Sequence, residues 1–231
     1  MTRVGINGFG RIGRLAARAL RNHRSLELAH VNDLNADLAT AAHLFEFDTV
    51  HGRYPGVVNS NGEAMSIDGT DVTFSRASTP ADIDWSAAGV DIVIEASGKF
   101  KTIDTLQPHL DNGVASVIVA APVKDDAVLN VVIGCNDDLY SPTTYPIATA
   151  ASCTTNSIAP VIKTLHEAIG IERGTLTSIH DVTNTQVIVD APHKDLRRAR
   201  SALNSLIPTT TGSATAVTMI VPELAGRLDG V

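Results

Sequence analysis

Up to about Ala150, short apolar runs alternate with segments of helical spacing. Arg3–Ile6 reads as a strand. Arg11–Arg21 follows with Ile12, Leu15, Ala16, Ala19 and Leu20 on one helical face. Leu26–Val31 is the next strand and Leu38–Phe47 the next helix. Val90–Ala96 and Val114–Ala120 are nearly continuous apolar runs, as strands buried on both faces require, and Thr102–Leu110 between them has helical character. Repeated strand–helix–strand units pair in parallel through right-handed crossovers, so the pattern predicts an α/β fold with a doubly wound parallel sheet.

The texture changes twice. Between His51 and Pro80, Asn59-Ser60-Asn61-Gly62 and Asp68-Gly69 are turn signals flanking short β-rich runs, which predicts a small antiparallel excursion. After Ala150, Cys153–Ile169 reads as a helix and Thr175–His180 as a strand. Asp181–Arg200 reads as a long polar loop ending in Arg197-Arg198-Ala199-Arg200, and Thr215–Val221 as another strand. A loop of that length in a compact protein is usually functional. Asp229-Gly230 is a hairpin turn signal followed only by Val231, an ending that suggests a fragment. The expected division is a first domain over residues 1–151 and the beginning of an α+β second domain over 152–231.

Composition narrows the function classes. The chain is 231 residues, 44 % hydrophobic and 19 % charged, an ordinary globular balance. No apolar run is long enough to span a bilayer and no signal-peptide core opens the chain, so neither a membrane partner nor export is expected, and a cytoplasmic location is. A net charge of −7 argues against non-specific binding of a nucleic-acid backbone. The two cysteines, Cys135 and Cys153, read as free thiols. No metal site is expected.

Gly8-Phe9-Gly10-Arg11-Ile12-Gly13 fits G-x-G-x-x-G, which by itself also describes a plain strand-to-helix turn. Its context makes it a candidate dinucleotide site. It follows the first strand and opens a helix, so unpaired N–H groups and the positive helix end converge. Gly8 and Gly10 permit the turn and close approach of a pyrophosphate, and Gly13 permits tight helix–sheet packing. Asp33, at the end of the second strand, would accept a ribose 2′-hydroxyl and repel a 2′-phosphate, which favours NAD over NADP; the plainer reading is a cap or turn residue.

Ser152-Cys153-Thr154-Thr155-Asn156 stands where a strand-like run gives way to a helix. A helix start stabilises a thiolate, the nucleophilic form, and neighbouring hydroxyls could hold an oxyanion or phosphate. The alternative is a small buried cysteine, the reading given to Cys135. Of eight histidines, His180 is best placed as a partner, ending a strand and opening the polar loop. Thr209-Thr210-Thr211-Gly212, with Thr183 and Arg200, could bind anions through hydroxyls, backbone N–H groups and a guanidinium, although each alone is commonly a cap, a turn or a solvated charge.

Asn7-Gly-Phe-Gly-Arg-Ile-Gly-Arg14, Asn32-Asp33-Leu34, Asp48-Thr-Val-His-Gly-Arg53, Ala151-Ser-Cys-Thr-Thr-Asn156 and Pro208-Thr-Thr-Thr-Gly212 resemble the phosphorylating glyceraldehyde-3-phosphate dehydrogenase family over the whole chain. Ile179–Gln186 and Asp190–Arg200 further resemble a branch associated with arsenate resistance. The resemblance implies a Rossmann domain, NAD as cofactor, a homotetramer with the Asp181–Arg200 loop at an interface, and a phosphorylated aldehyde and inorganic phosphate as partners. It implies Cys153 as nucleophile and His180 as its base. Asn7, Arg11, Ile12, Asp33, Arg76 and Ser97 are implied as cofactor contacts. Ser152, Thr154, Thr211, Gly212 and Arg200 fall to the inorganic-phosphate subsite, and Thr183 to the subsite for the substrate's own phosphate.

Two positions depart from the family. Ala120 stands where a hydroxyl residue is common, and Ala191 precedes Pro192 where NAD-specific members carry Leu, which weakens the preference over NADP. Members of the family also continue about a hundred residues further, so the resemblance implies that this chain alone is poorly soluble and inactive. The implied reaction takes glyceraldehyde 3-phosphate through a Cys153 thiohemiacetal and thioester to the 1-phospho product, or with arsenate to the 1-arseno product. The rival readings are erythrose-4-phosphate dehydrogenase and a non-catalytic NAD sensor.

Overall fold

The computed structural model describes every residue except Asn61, Glu63, Asn184 and Val231, so the parts of the expected turns that involve Asn61 and Val231 lie outside the described residues. It divides into two compact units. The first holds residues 1–131 and 136–152, the second residues 132–135 and 153–231.

The first unit is built on one nine-stranded sheet. Its strands are β1 (Thr2–Asn7), β2 (Leu26–Asn32), β3 (Val58–Ser60), β4 (Ala64–Ile67), β5 (Thr70–Ser75), β6 (Ile92–Glu95), β7 (Ser116–Val119), β8 (Leu129–Asn130) and β9 (Ile147–Thr149). They lie in the order β3-β4-β5-β2-β1-β6-β7-β9-β8. Every neighbouring pair from β5 to β8 is parallel, while β3, β4 and β5 pair antiparallel, which is the expected excursion. Helices α1 (Arg11–Leu20), α2 (Leu38–Glu46) and α3 (Ile103–Asp111) fall where the apolar spacing puts them. The α/β expectation therefore holds. From β1 the chain passes through α1 to β2 on one side, and β6 lies on the other. The switch point of the sheet, and the crevice such sheets use for ligands, is thus at the carboxyl ends of β1 and β6.

Two apolar clusters hold this unit. One gathers Trp85, Val93, Leu106 and Val117, the other Ile6, Phe45, Met65 and Val72. Each such side chain contributes about 1.5–3 kcal/mol when fully buried. Gly5 exists for this packing: a Cβ there would stand 2.5 Å from the Trp85 ring.

The second unit contains α4 (Cys153–Ile169), α5 (Ser213–Thr218) and a two-stranded parallel sheet of β10 (Gly174–Leu176) and β11 (Leu228–Gly230). Three expectations are corrected here. Thr215–Val221 is not a strand; its β-branched residues suggest one, but the buried Ser213, Ala214 and Val217 share one face of α5. Asp229-Gly230 is no hairpin turn, because both residues pair in parallel with β10. The strand around Thr175 stops at Leu176, so His180 stands on irregular chain beyond it. Strand β8 ends at Asn130, and Ile133 beyond it lies exposed in a turn. Among the described residues no helix is long and apolar enough to cross a membrane, and no group of three His, Cys, Asp or Glu is placed to hold a metal.

Candidate functional site

In the first unit, β1 ends at Asn7 and the chain turns at Gly8 with φ +91°. A Cβ on Gly8 would lie 2.4 Å from the backbone of Ser97, and one on Gly13 would lie 2.1 Å from the Gly8 carbonyl oxygen. Both positions therefore require glycine. Gly10 is different: nothing lies within 4 Å of where its Cβ would be. It is the N-cap of α1, and no side chain caps the helix there, so no capping side chain occupies its first N–H groups. A helix start of this kind can receive an anion such as a pyrophosphate.

Asp33 is nearly buried, with Oδ2 accepting from Phe9 N at 2.7 Å and Oδ1 from Asn35 N at 2.8 Å and Ala36 N at 3.0 Å. The turn role and the ligand role coexist, since a carboxylate has about four acceptor positions and three are used. The Arg11 guanidinium is paired with Asp48, and Arg76 donates to the Leu34 carbonyl at 3.0 Å, beside Asp33. Ile12 is exposed at the helix start. Ser97 lies against Gly8 and donates to Glu95. Asn7 is buried and its side chain bonds Glu95 and Asn32, so it forms the floor beneath the turn.

In the second unit Cys153 is the first residue of α4 and is exposed; two residues earlier in the chain, Ala151 adopts a left-handed φ of 52°. Its Sγ lies 3.2 Å from His180 Nε2. His180 Nδ1 is 2.8 Å from the Asp181 carbonyl oxygen, which can only accept. Nδ1 therefore carries a proton and Nε2 faces the sulfur. The imidazole holds the Cys153 thiol below its ordinary range, more than offsetting burial, with Thr154 Oγ1 at 3.9 Å adding to the effect. The sulfur in turn, with the Asp181 carbonyl, raises His180 above its ordinary value. Partial positive charge at a helix start acts in the same direction.

The pair opens into a cleft of about 350 Å³ lined with hydroxyls, among them Thr154, Ser178, Thr183, Thr209, Thr210 and Thr211. Thr183 Oγ1 donates to Gln186 Oε1 at 3.0 Å. Thr211 Oγ1 and Ser213 Oγ are 2.6 Å apart, and Gly212 is the N-cap of α5. The guanidinium in this cleft belongs to Arg198, whose Nη2 donates to Thr209 Oγ1 at 2.6 Å. Arg200, the residue expected there, is paired instead with Asp190 at 3.0 Å and does not line the cleft. Arg198 and Gln186 are thus the residues sequence reasoning passed over. The basic run offered three arginines and no means of choosing among them. Ser152 is half-buried, immediately before the thiol in the chain. A larger groove of about 480 Å³ beside α1, lined by Leu20, Arg21, His23 and Thr70 among others, holds no cysteine.

A glycine turn at the switch point of a doubly wound sheet, in a chain that also aligns a thiol with an imidazole, defines a dinucleotide-binding enzyme. Residues 2–103 match the family described as glyceraldehyde 3-phosphate dehydrogenase, NAD binding domain, and residues 152–231 match its C-terminal domain. The chain is 57 % identical over 229 residues to glyceraldehyde-3-phosphate dehydrogenase 3 of Nostoc sp., covering 99 % of this chain and 68 % of the relative. It is 46 % identical to the glyceraldehyde-3-phosphate dehydrogenase of Geobacillus stearothermophilus over the same shares of both chains, and 47 % to that of Thermotoga maritima over 95 % of this chain and 66 % of the relative. The chain belongs to the glyceraldehyde-3-phosphate dehydrogenase family, and NAD is its cofactor.

Proposed function

We propose that the chain oxidises glyceraldehyde 3-phosphate with NAD and transfers the acyl group to inorganic phosphate, with Cys153 as nucleophile. The observation that carries this is the 3.2 Å approach of Cys153 Sγ to His180 Nε2 in a cleft rich in hydroxyls. His180 Nε2 takes the thiol proton, the thiolate adds to the aldehyde carbon, and the imidazolium returns that proton to the carbonyl oxygen, which gives the thiohemiacetal and frees Nε2 again. His180 then takes the hydroxyl proton of that adduct as its hydrogen leaves as hydride. Bound NAD supplies the hydride acceptor. The resulting thioester on Cys153 is attacked by an anion held among Thr154, Thr211, Ser152, Gly212 and Arg198, releasing the thiol and the 1-phospho product. Thr183 serves the substrate's own phosphate. Arsenate, alike in charge and shape, enters the same subsite and gives the 1-arseno product.

Gly8, Gly10, Arg11, Ile12, Gly13, Asp33, Arg76 and Ser97 would hold NAD at the turn, and the division of labour falls between residues 1–151 and 152–231. Exposed Ile188, Val189 and Leu196 support assembly into a homotetramer through the Asp181–Arg200 segment, which native mass tests. The test of the reaction is turnover with glyceraldehyde 3-phosphate, NAD and either phosphate or arsenate, followed by the absorbance of the reduced nicotinamide. Rates that rise with added anion and vanish in Cys153→Ser support the proposal. An acyl burst without anion dependence would favour oxidation of erythrose 4-phosphate by hydrolysis, and no burst at all would leave an NAD sensor.

A further inference from the structure

Beneath the glycine turn lies a buried set of hydrogen bonds whose direction is fixed from its margins. Three groups there can only donate: the backbone N–H of Ala77, the backbone N–H of Ser97 and the indole N–H of Trp85. Ala77 N donates to Asn32 Oδ1 at 2.7 Å, which leaves the Asn32 amide to donate to Asn7 Oδ1 at 2.8 Å. The Asn7 amide then donates to Glu95 Oε2 at 2.5 Å. Trp85 Nε1 donates to His109 Nδ1 at 3.0 Å, so His109 carries its proton on Nε2 and donates it to Glu95 Oε2 at 3.1 Å. Ser97 N donates to Glu95 Oε1 at 2.8 Å, and the Ser97 hydroxyl donates to the same oxygen. Every route ends on Glu95, whose two oxygens only accept.

Glu95 is 1 % exposed and His109 fully buried. A carboxylate in such a place costs several kcal/mol unless it is fully bonded, and apolar side chains would seal the sheet without that cost. Its position supplies a reason for it. Glu95 ends β6 in register with Asn7 at the end of β1, so it stands at the switch point. The Ser97 backbone that it holds is the surface against which Gly8 lies, with no room for a Cβ between them.

We infer that Glu95, which the proposed chemistry does not use, is a positioning residue of the dinucleotide site, acting through Asn7 and through Ser97 on Gly8. The inference rests on the cofactor reading of the glycine turn. Glu95→Gln tests it, because a carboxamide turned either way presents its NH2 to a donor: to Asn7 and His109, or to Ser97 N–H. Losing charge-assisted bonds of this kind should raise the NAD dissociation constant about tenfold or more by titration calorimetry. The emission of Trp85, the chain's only tryptophan, should shift in the same variant. Alkylation of Cys153 should stay unchanged, since His180 activates it locally. Asn7→Asp should weaken NAD binding in the same way, and combining it with Glu95→Gln should recover part of the loss, because the introduced amide can donate to the introduced carboxylate.

A role confined to the core would lower the melting temperature and leave NAD affinity within about twofold, and that result overturns the inference. Should the variants not fold, nitrogen NMR of the unaltered chain decides. Saturating NAD must move the Trp85 Nε1 and His109 Nε2 resonances, and their indifference overturns the inference equally. An unaltered chain that fails to bind NAD overturns the cofactor reading itself, and this inference with it.

Discussion

At Cys153 three local effects act on one sulfur: an imidazole at 3.2 Å, a hydroxyl at 3.9 Å and the start of a helix. All favour the thiolate, and they outweigh the opposing effect of partial burial. Alkylation by iodoacetamide follows the thiolate fraction, so its rate should rise to a plateau at a pH below the ordinary thiol titration near ~8.5. Because His180 is raised, the thiolate–imidazolium pair persists above the usual histidine range. Removing the imidazole in His180→Gln moves the midpoint upward and slows alkylation at neutral pH by about tenfold. An unchanged midpoint would mean that the 3.2 Å contact does not control the thiol. The contact between Cys153 and His180 was legible because a reactive thiol is read together with a base, one standing where a helix begins and the other where a strand-like run ends. Asp33 was legible only in part, since the three backbone N–H groups that converge on it come from folding, not from spacing.

Among the elements, α4 was legible to its bounds because a strand-like run, hydroxyl residues and an apolar face follow one another. The parallel strands were legible from unbroken apolar runs. Helix α5 was not, because Thr215, Val217 and Thr218 favour strands by propensity and burial against α4, β10 and β11 decides the matter. The segment between β10 and α5 also chose Arg198 over Arg200, through a bond to Thr209 on one side and an ion pair with Asp190 on the other. Arg198→Ala should therefore raise the apparent KM for phosphate by about tenfold, and Arg200→Ala by much less. Equal effects would show that the Arg200–Asp190 pair opens during turnover.

The junction of β2 and β5 carries a pH dependence of its own. His30 bridges Thr73 Oγ1 at 2.7 Å and Ser75 Oγ at 2.8 Å, and burial pushes it down to about 4 against the partial opposition of Asp84. Below about pH 6.5 the unfolded chain binds a proton that the folded one refuses, so stability is lost as pH falls from there toward 4, by on the order of 3 kcal/mol. His30→Gln should flatten denaturant midpoints across that window. A slope that survives the substitution would assign the loss to carboxylates instead.

For the whole chain, the apolar residues are unequally shared. Both large clusters lie in the first unit. The second buries Ala159, Ile162, Val217 and Leu224 while Ile179, Val189, Leu203 and Leu206 stand exposed. Local stability follows buried apolar contact, so the second unit should open first, with proteases cutting earliest between residues 181 and 212. NAD binds the folded first unit and not the unfolded chain. At about a hundred times its dissociation constant it should add ~2.7 kcal/mol, several degrees in a unit of this size. Calorimetry of the unaltered chain should then show two transitions, of which NAD raises the upper and leaves the lower in place. The lower transition should instead respond to alkylation of Cys153, which is seated in the second unit. A single transition moved as a whole by NAD would mean that the units unfold together, and the unequal cores would not be what sets their order of opening.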